Sequence, residues 1–408
     1  MIIPDNKKNV LFFGCWPPPF GGIASHLYQL LPDLVYAGLN VHLCVNNETG
    51  KKSRIKDKGV EIIYYSHKFI FKKHPFRLIF LFFRFFPLKK DLTIREFIIQ
   101  ICHYILISDT IKYNAIEYLF THDNPRHLVV PFIRAGFPML KIFATIYADF
   151  FISPNKYYSK REFLMSCFKS SDLVLSCSNF CCDSGTKFLG INYPQKVIYN
   201  NVNPNIFSPL NEGAGIRVKH NIPTNSIVLF TMCKMNEDMG IKFLIDFHEE
   251  ILSLDSKIVL FFVGAADNLS EAIVELSKKN SRIFHAFNIP NNKKHLYFAS
   301  GDIFTAPTIG SHACMGIANI EAMMSGIPVL SSDSGGHRET IDHEHDGFLV
   351  PLDNGEINKN LYLQYLNELL KNPNLREEIG IRTRRRALAL FSNDRIVEAH
   401  IEIMKGNY

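Results

Sequence analysis

Two series of short apolar runs alternating with amphipathic stretches, separated by one polar interval, constrain this chain more than any single motif does. The first series opens at Asn9 to Gly14, an apolar run of the length of a buried parallel strand. PPPFGG then forces a turn, and in IASHLYQLLPDLVYAG the residues Ile23, Leu27, Leu30, Leu31 and Leu34 recur at helical spacing. LNVHLCV reads as the next strand. Strand, glycine loop, helix and strand in that order open a doubly wound sheet, whose ligands bind beyond the strand C-termini. The alternation continues through VEIIYYS, YNAIEYLF, HLVVPFIRAG, KIFATIYAD, SDLVLSCS and QKVIYN.

NVNPNIFSPLNEGAG has turn residues and no periodicity, which places a hinge between Asn203 and Ala214. A second series follows: SIVLFT, a helix after Gly240, KIVLFFVG, SRIF, DIFTAP, IANIEAMMSG and PVLSSD. Two such series predict two layered α/β domains, and 408 residues are long for a single core. The predicted divisions are 1–205, 206–385 and a helical segment, 386–408, returning to the first domain. The apolar fraction of 47% suffices for both cores.

The formal charge of +6 does not by itself indicate nucleic acid, and no recognition motif accompanies it. Nine cysteines lack metal-ligand spacing and read as reduced thiols of a cytosolic protein. The N-terminal apolar run passes into the Pro-Gly loop without a small-residue cleavage pattern, so it reads as a first strand and not a secretory leader. The most apolar stretch, Phe76 to Pro87, is interrupted by Arg77 and Arg84 and is not a spanning helix.

Candidate sites lie where glycines open helices. Gly21 and Gly22 follow the first strand, where unpaired N–H groups and the helix dipole suit a diphosphate; a tight turn after a polyproline run explains them equally well. Beyond DIFTAP, the loop TIGSHACMG leads into a helix whose first N–H groups, at Ile317, Ala318 and Asn319 after Gly316, can hold a phosphate. Glu321, one turn in, can accept from ribose hydroxyls or serve only as a favourable charge near a helix start. Gly335-Gly336 mark a second such start, with His337 and Glu339 as ligands or ordinary first-turn residues. Lys234, ending a strand, can face a leaving pyrophosphate or simply be solvated. Arg282 to Phe287 is the candidate base-recognition stretch.

From Ile62 to Lys90 there are seven Lys or Arg and no Asp or Glu, interleaved with Phe69, Phe71, Phe76, Phe80, Phe82, Phe83, Phe85 and Phe86. Cations with interfacial aromatics fit an anionic membrane surface; a core helix with snorkelling basic ends, or a pair of adjacent strands, is the other reading.

These segments together resemble the retaining GT-B glycosyltransferases of glycosyltransferase family 4. The resemblance rests on PPPFGGIASHLYQL, on SDLVLSCSNFCCDSGTKFLGINYPQKVIYNNVNPNIFSP and on YFASGDIFTAPTIGSHACMGIANIEAMMSGIPVLSSDSGGHRETIDHEHDGFLVP, in that order. It implies a GT-B fold of two Rossmann-like domains facing across a nucleotide-sugar cleft. The family's Gly-Gly loop matches Gly21 and Gly22. Its two glutamates, eight residues apart, match Ala313 and Glu321, so the ribose contact is kept and the one beside the donor sugar is lost. Its diphosphate-clamping pair matches Lys234 and Met239, and its first-domain histidine matches Tyr147, which donates a hydrogen bond but carries no cation near neutral pH.

The resemblance implies a retaining transferase that moves a hexose-like unit from a nucleoside diphosphate-sugar to a glycan or lipid-linked acceptor. Tyr147, Lys234 and Glu321 are its expected catalytic groups. Gly21, Gly22, Lys234, Arg282, Gly316, Ile317, Ala318, Asn319 and Glu321 are expected to bind the donor. No tightly bound cofactor and no metal are expected. The setting implied is cell-envelope polysaccharide synthesis, such as lipopolysaccharide or capsule, in the cytoplasm or at the cytoplasmic face of the inner membrane. The replacements at Tyr147, Met239 and Ala313 leave open a degenerate GT-B subunit that binds acceptor or stabilises an active partner glycosyltransferase. A phosphorylase- or hydrolase-like reaction ranks below both.

Overall fold

The computed structural model describes residues 7–17, 22–46, 52–122, 128–147 and 159–407. It divides into two units, Met1–Tyr199 with Ile396–Tyr408, and Asn200–Arg395. Each is an α/β layer built on its own mostly parallel sheet.

The first unit contains β1 (Asn9–Gly14), β2 (Asn40–Asn46), β3 (Ser53–Asp57), β4 (Val60–Tyr65), β5 (Tyr118–His122), β6 (Lys141–Ile146), β7 (Leu173–Ser176) and β8 (Gln195–Val197). Their order is β3-β4-β2-β1-β5-β6-β7-β8, so chain direction across the sheet reverses between β1 and β5. All pairs are parallel except β3 with β4. The NVLFFG run is apolar almost throughout because helices cover both faces of β1. On one face the Gly22–Tyr36 helix packs Leu27, Leu30, Leu31 and Leu34 with Val10, Phe12 and Phe120. On the other, the Ile94–Tyr113 helix packs Phe97, Ile101 and Ile105 with Leu11 and Phe13. That helix starts at a reciprocal cap between Thr93 and Glu96.

The second unit contains β9 (Ile227–Lys234), β10 (Ile258–Ala265), β11 (Ile283–Phe287), β12 (Ile303–Ala306), β13 (Val329–Ser332) and β14 (Phe348–Val350). All are parallel, in the order β11-β10-β9-β12-β13-β14, and the reversal lies between β9 and β12. Both units therefore have a topological switch point, where open α/β sheets bind ligands.

Three segments depart from the sequence-based expectation. HLVVPFIRAG contributes a helix, Val130–Gly136, because Pro131 sits at its first turn, where a missing N–H costs nothing. The expected hinge is partly folded into the second unit: Phe207 is buried, and its carbonyl accepts from Arg384 Nη1 at 3.2 Å. The C-terminal helical segment is two helices. Ser392 is extended (φ −65°, ψ 149°), ending Pro373–Phe391 before Asn393–Met404 begins. Ile396, Val397 and Ile403 then join the first unit's core beside Phe120. Among the described residues, no helix is long and apolar enough to cross a membrane.

Candidate functional site

In the second unit, the residues that follow β9, β12 and β13 converge on one sheet edge. Lys234 ends β9, its Nζ 3.3 Å from Asp267 Oδ2. Asp267 also accepts from Asn236 Nδ2 at 3.1 Å, and that bond leads in holding its carboxyl below the usual range. Just beyond, Ile309 N donates to Asp238 O at 3.2 Å, and His312 Nε2 lies 3.7 Å from Asp238 Oδ1. The segment after β9 is thus fastened to the loop after β12. Met239, where a second clamping cation was sought, is half-buried against the second unit's apolar core instead.

The loop after β12 is also pinned to the one after β13. Gly336 N donates to Ala313 O at 2.9 Å, and Ser334 Oγ to Gly310 O at 2.8 Å. A Cβ on Gly336 would stand 1.9 Å from Cys314 O, so only glycine fits there. Gly316, with φ +73°, turns the chain into the Ile317–Met324 helix. Among the described residues, the N–H groups of Ile317 and Ala318 have no protein acceptor, whereas Asn319 N–H is bonded to Gly316 O at 3.0 Å. This corrects part of the expectation: only two of the three N–H groups point outward for an anion, because the helix opens with a tight i→i+3 turn. Asn319 is buried, with Nδ2 3.3 Å from Ser331 Oγ, and its Oδ1 accepts nothing among the described residues.

Glu321 is 1% exposed and forms an ion pair with Lys294 Nζ from the Lys294–Ala299 helix. Burial raises the Glu321 carboxyl above its usual range, and Lys294 opposes that rise by stabilising the anion. His337 is buried as well, with Nδ1 3.0 Å from Ser332 O and 2.8 Å from Ser331 Oγ. A carbonyl can only accept, so Nδ1 carries the proton. Burial pushes the ring pKa down to about 4. His337 is therefore neutral near pH 7 and does not replace a lost cation.

In the first unit, Tyr147 follows β6 and its hydroxyl lies 2.9 Å from Nδ1 of His122, the last residue of β5. His122 stacks on Phe12, with ring centroids 5.6 Å apart, and its ring is 6.0 Å from that of His26 on the helix that follows β1. This buried His26, His122 and Tyr147 group sits at the β1/β5 switch point. Gly22 begins the same helix; Gly21 lies outside the described residues.

The structure thus gathers Lys234, Gly316, Ile317, Ala318, Asn319 and Glu321 at one edge. Arg282 does not join them. It precedes β11, at the strand N-termini, where its Nη1 donates to Leu252 O and Asp255 O at 2.8 and 3.2 Å. It lines a groove with Ser226, Lys257 and Ser281, all just before strands, so its guanidinium is a structural brace at the wrong end of the sheet. Sequence reasoning missed Lys294, Asp267 and His122. Lys294 had a weak signal, a Lys-Lys pair opening the helix before FASGDIF, but nothing in the order of residues pairs it with Glu321.

Comparison with known proteins agrees with this geometry. Residues 214–386 match the family described as glycosyl transferases group 1. Alpha-maltose-1-phosphate synthase of Mycolicibacterium smegmatis is 27% identical over 143 residues, 34% of this chain and 36% of that protein. Spore coat protein SA of Bacillus subtilis is 24% identical over 227 residues, 52% of this chain and 59% of that protein. Neither match spans two thirds of the relative. Among solved structures, sucrose-phosphate synthase from Thermosynechococcus elongatus superposes with a TM-score of 0.76 at 16% identity, covering 98% of this chain and 99% of that one. Anabaena HepE in complex with UDP gives 0.70 at 16% identity, covering 98% and 100%. The chain has the GT-B fold, and its residues 214–386 match the glycosyl transferases group 1 family.

Proposed function

We propose that the chain is a retaining glycosyltransferase that uses a nucleoside diphosphate-sugar donor and a glycan or lipid-linked acceptor. The observation that carries this reading is the second unit's switch-point edge. There the unpartnered N–H groups of Ile317 and Ala318, the Lys234 ammonium and the buried Glu321 carboxylate collect at one place. Two N–H groups at a helix start and a nearby cation suit a diphosphate, and a buried carboxyl group paired with Lys294 suits a pair of ribose hydroxyls. HepE, which shares the fold, binds UDP, which supports a nucleotide donor of that kind.

The roles follow from charge. Lys234 and the helix N-terminus stabilise negative charge that develops on the departing diphosphate. Tyr147, its hydroxyl 2.9 Å from His122 Nδ1, is the first unit's own candidate hydrogen-bonding group. Gly22 opens the helix after β1 at the first unit's own switch point, where a helix start suits an anion. These groups orient and stabilise; none is a protein nucleophile, and no divalent metal is required because fixed cationic and N–H groups take its place. The spore coat relative supports a cell-envelope setting; polysaccharide synthesis there, lipopolysaccharide or capsule, at the cytoplasmic membrane face is part of the proposal.

The test is mass-spectrometric detection of transfer by purified protein, with a nucleotide-sugar panel, extracts of the native organism as acceptors and a Glu321→Ala control. A glycosylated product that is lost in the control and unaffected by chelator supports the transferase, its donor and acceptor class and the metal-free site. The packing of Met239 into the core favours the second reading, a degenerate subunit that supports an active partner. Folded protein that binds nucleotide yet yields no product with any donor would select it.

A further inference from the structure

The Pro75–Phe85 helix is apolar on both sides, and the first unit covers only one of them. Leu78, Leu81 and Phe85 are buried in the core, with Phe82 packed against it. On the opposite side Phe76, Ile79, Phe80 and Phe83 follow the i, i+3, i+4, i+7 pattern of one helical face, and they are 86%, 58%, 65% and 72% exposed. Phe71 before the helix and Phe86 after it are also exposed, at 55% and 49%. A bare aromatic ridge of this size is not an ordinary surface, because single exposed apolar residues are common and contiguous ones are not.

The charges around the ridge identify what covers it. Lys68, Lys72, Lys73, Arg84 and Lys90 are exposed, and residues 62–90 hold no Asp or Glu. Arg77 is the exception among the cations, neutralised by Asp109 at 2.8 Å and bonded to Ser108 at 3.0 Å. A protein partner would need acidic residues to complement five exposed cations around the aromatic strip. An anionic bilayer supplies both requirements at once, with headgroups for the cations and acyl chains for the rings.

We propose that the Pro75–Phe85 helix is an in-plane membrane anchor, with Phe76, Ile79, Phe80 and Phe83 entering an anionic leaflet while Lys72, Lys73 and Arg84 meet its headgroups. This deepens the membrane side of the functional reading and depends on none of its donor chemistry. It also sorts the aromatics of this segment: Phe85 belongs to the core, and Phe69 and Phe82 pack against it.

The experiment uses full-length protein with vesicles of phosphatidylcholine alone or mixed with phosphatidylglycerol. Wild type should sediment with the anionic vesicles, weakly with the neutral ones, and less as salt rises. Phe80→Glu with Phe83→Glu should lower partitioning by about tenfold or more, and Lys72→Glu with Lys73→Glu should remove the preference for phosphatidylglycerol. All four positions are exposed, so an unchanged circular dichroism spectrum separates lost binding from misfolding. In a Phe83→Trp variant, brominated acyl chains should quench the new tryptophan. Binding that persists in the F80E/F83E variant, absence of quenching, or a concentration-dependent dimer abolished by F80E/F83E without vesicle binding would each overturn the anchor. None of these outcomes bears on sugar transfer, which the Glu321→Ala assay reads separately.

Discussion

Lys294 Nζ and Glu321 Oε2 form an ion pair in which the carboxylate is wholly buried and the ammonium reaches it from a neighbouring helix. Without the lysine, the carboxylate would be an uncompensated charge in a dry environment, and breaking such a pair from one side is strongly destabilising. Lys294→Met should lower unfolding free energy by about 3 kcal/mol in urea titrations at neutral pH, and Glu321→Gln by less, because it removes the charge itself.

The same pair sets a pH signature. Glu321 is raised in the folded protein above its ordinary 4.5, so the native state holds its proton more tightly than the unfolded chain. Stability from this group is present at acidic pH and declines as pH rises from the unfolded value through the folded one. Removing Lys294 raises the folded value further. The Lys294→Met variant should therefore recover part of its deficit between neutral pH and about pH 5. A deficit constant across that range would mean that Glu321 is already solvated.

Two buried histidines act in the opposite sense. His337 in the second unit and His400 in the first are each pushed from 6.5 down to about 4 by burial. Here the unfolded chain binds protons more readily, so stability is full above the unfolded value and is lost as pH falls from 6.5 towards 4. At about pH 5 each histidine should cost its own unit about 2 kcal/mol relative to neutral pH. His400→Gln should flatten the acid limb of the first unit's unfolding, read by a probe placed near Phe120. A limb of the same slope would assign the acid sensitivity to other groups.

Lys234 should show the reverse balance of stability and function. Its side chain is 62% exposed and its ion pair with Asp267 is long, so Lys234→Ala should change stability by less than about 0.5 kcal/mol. If it steadies the leaving diphosphate, turnover should fall about a hundredfold. Steady-state kinetics beside a thermal melt distinguish the two. A variant with normal turnover would remove Lys234 from the proposed chemistry.

The fold was legible because its strands are buried on both faces, which leaves unbroken apolar runs such as NVLFFG and IVLFFVG for a reader to find. The edge strand β3, SRIKD, was invisible for the complementary reason: four of its five residues are exposed, and charge there guards an open edge. The site was half legible. Glycines that open helices after strands are local signals, so Gly316 and Gly336 could be placed. Partnerships across the sheet are not local. Glu321 was recognisable, but its lysine lies 27 positions away on another element (321 − 294), and His122 meets Tyr147 only because β5 and β6 are neighbours. Arg282 shows the converse. It was read as the start of a base-recognition stretch, but it precedes the Ile283–Phe287 strand, and direction along a parallel sheet decides which end faces ligand.

Ala313 offers the sharpest test of how much chemistry the altered edge retains. Its carbonyl is held by Gly336 N–H, and the loop around it is fastened to Asp238 on one side and to Ser334 on the other. The backbone is therefore fixed before any ligand arrives, and a longer side chain at 313 would act through its own carboxylate more than through loop movement. Nucleotide contacts are proposed to lie at Lys234, Ile317, Ala318 and Glu321, none of which Ala313 bonds. Ala313→Glu should accordingly leave nucleotide affinity within about threefold by calorimetry, and it should change turnover by about tenfold or reorder the preferred donor sugars. Unchanged affinity with unchanged kinetics and donor order would show that position 313 does not face the sugar. A large loss of nucleotide affinity would place it against the diphosphate instead.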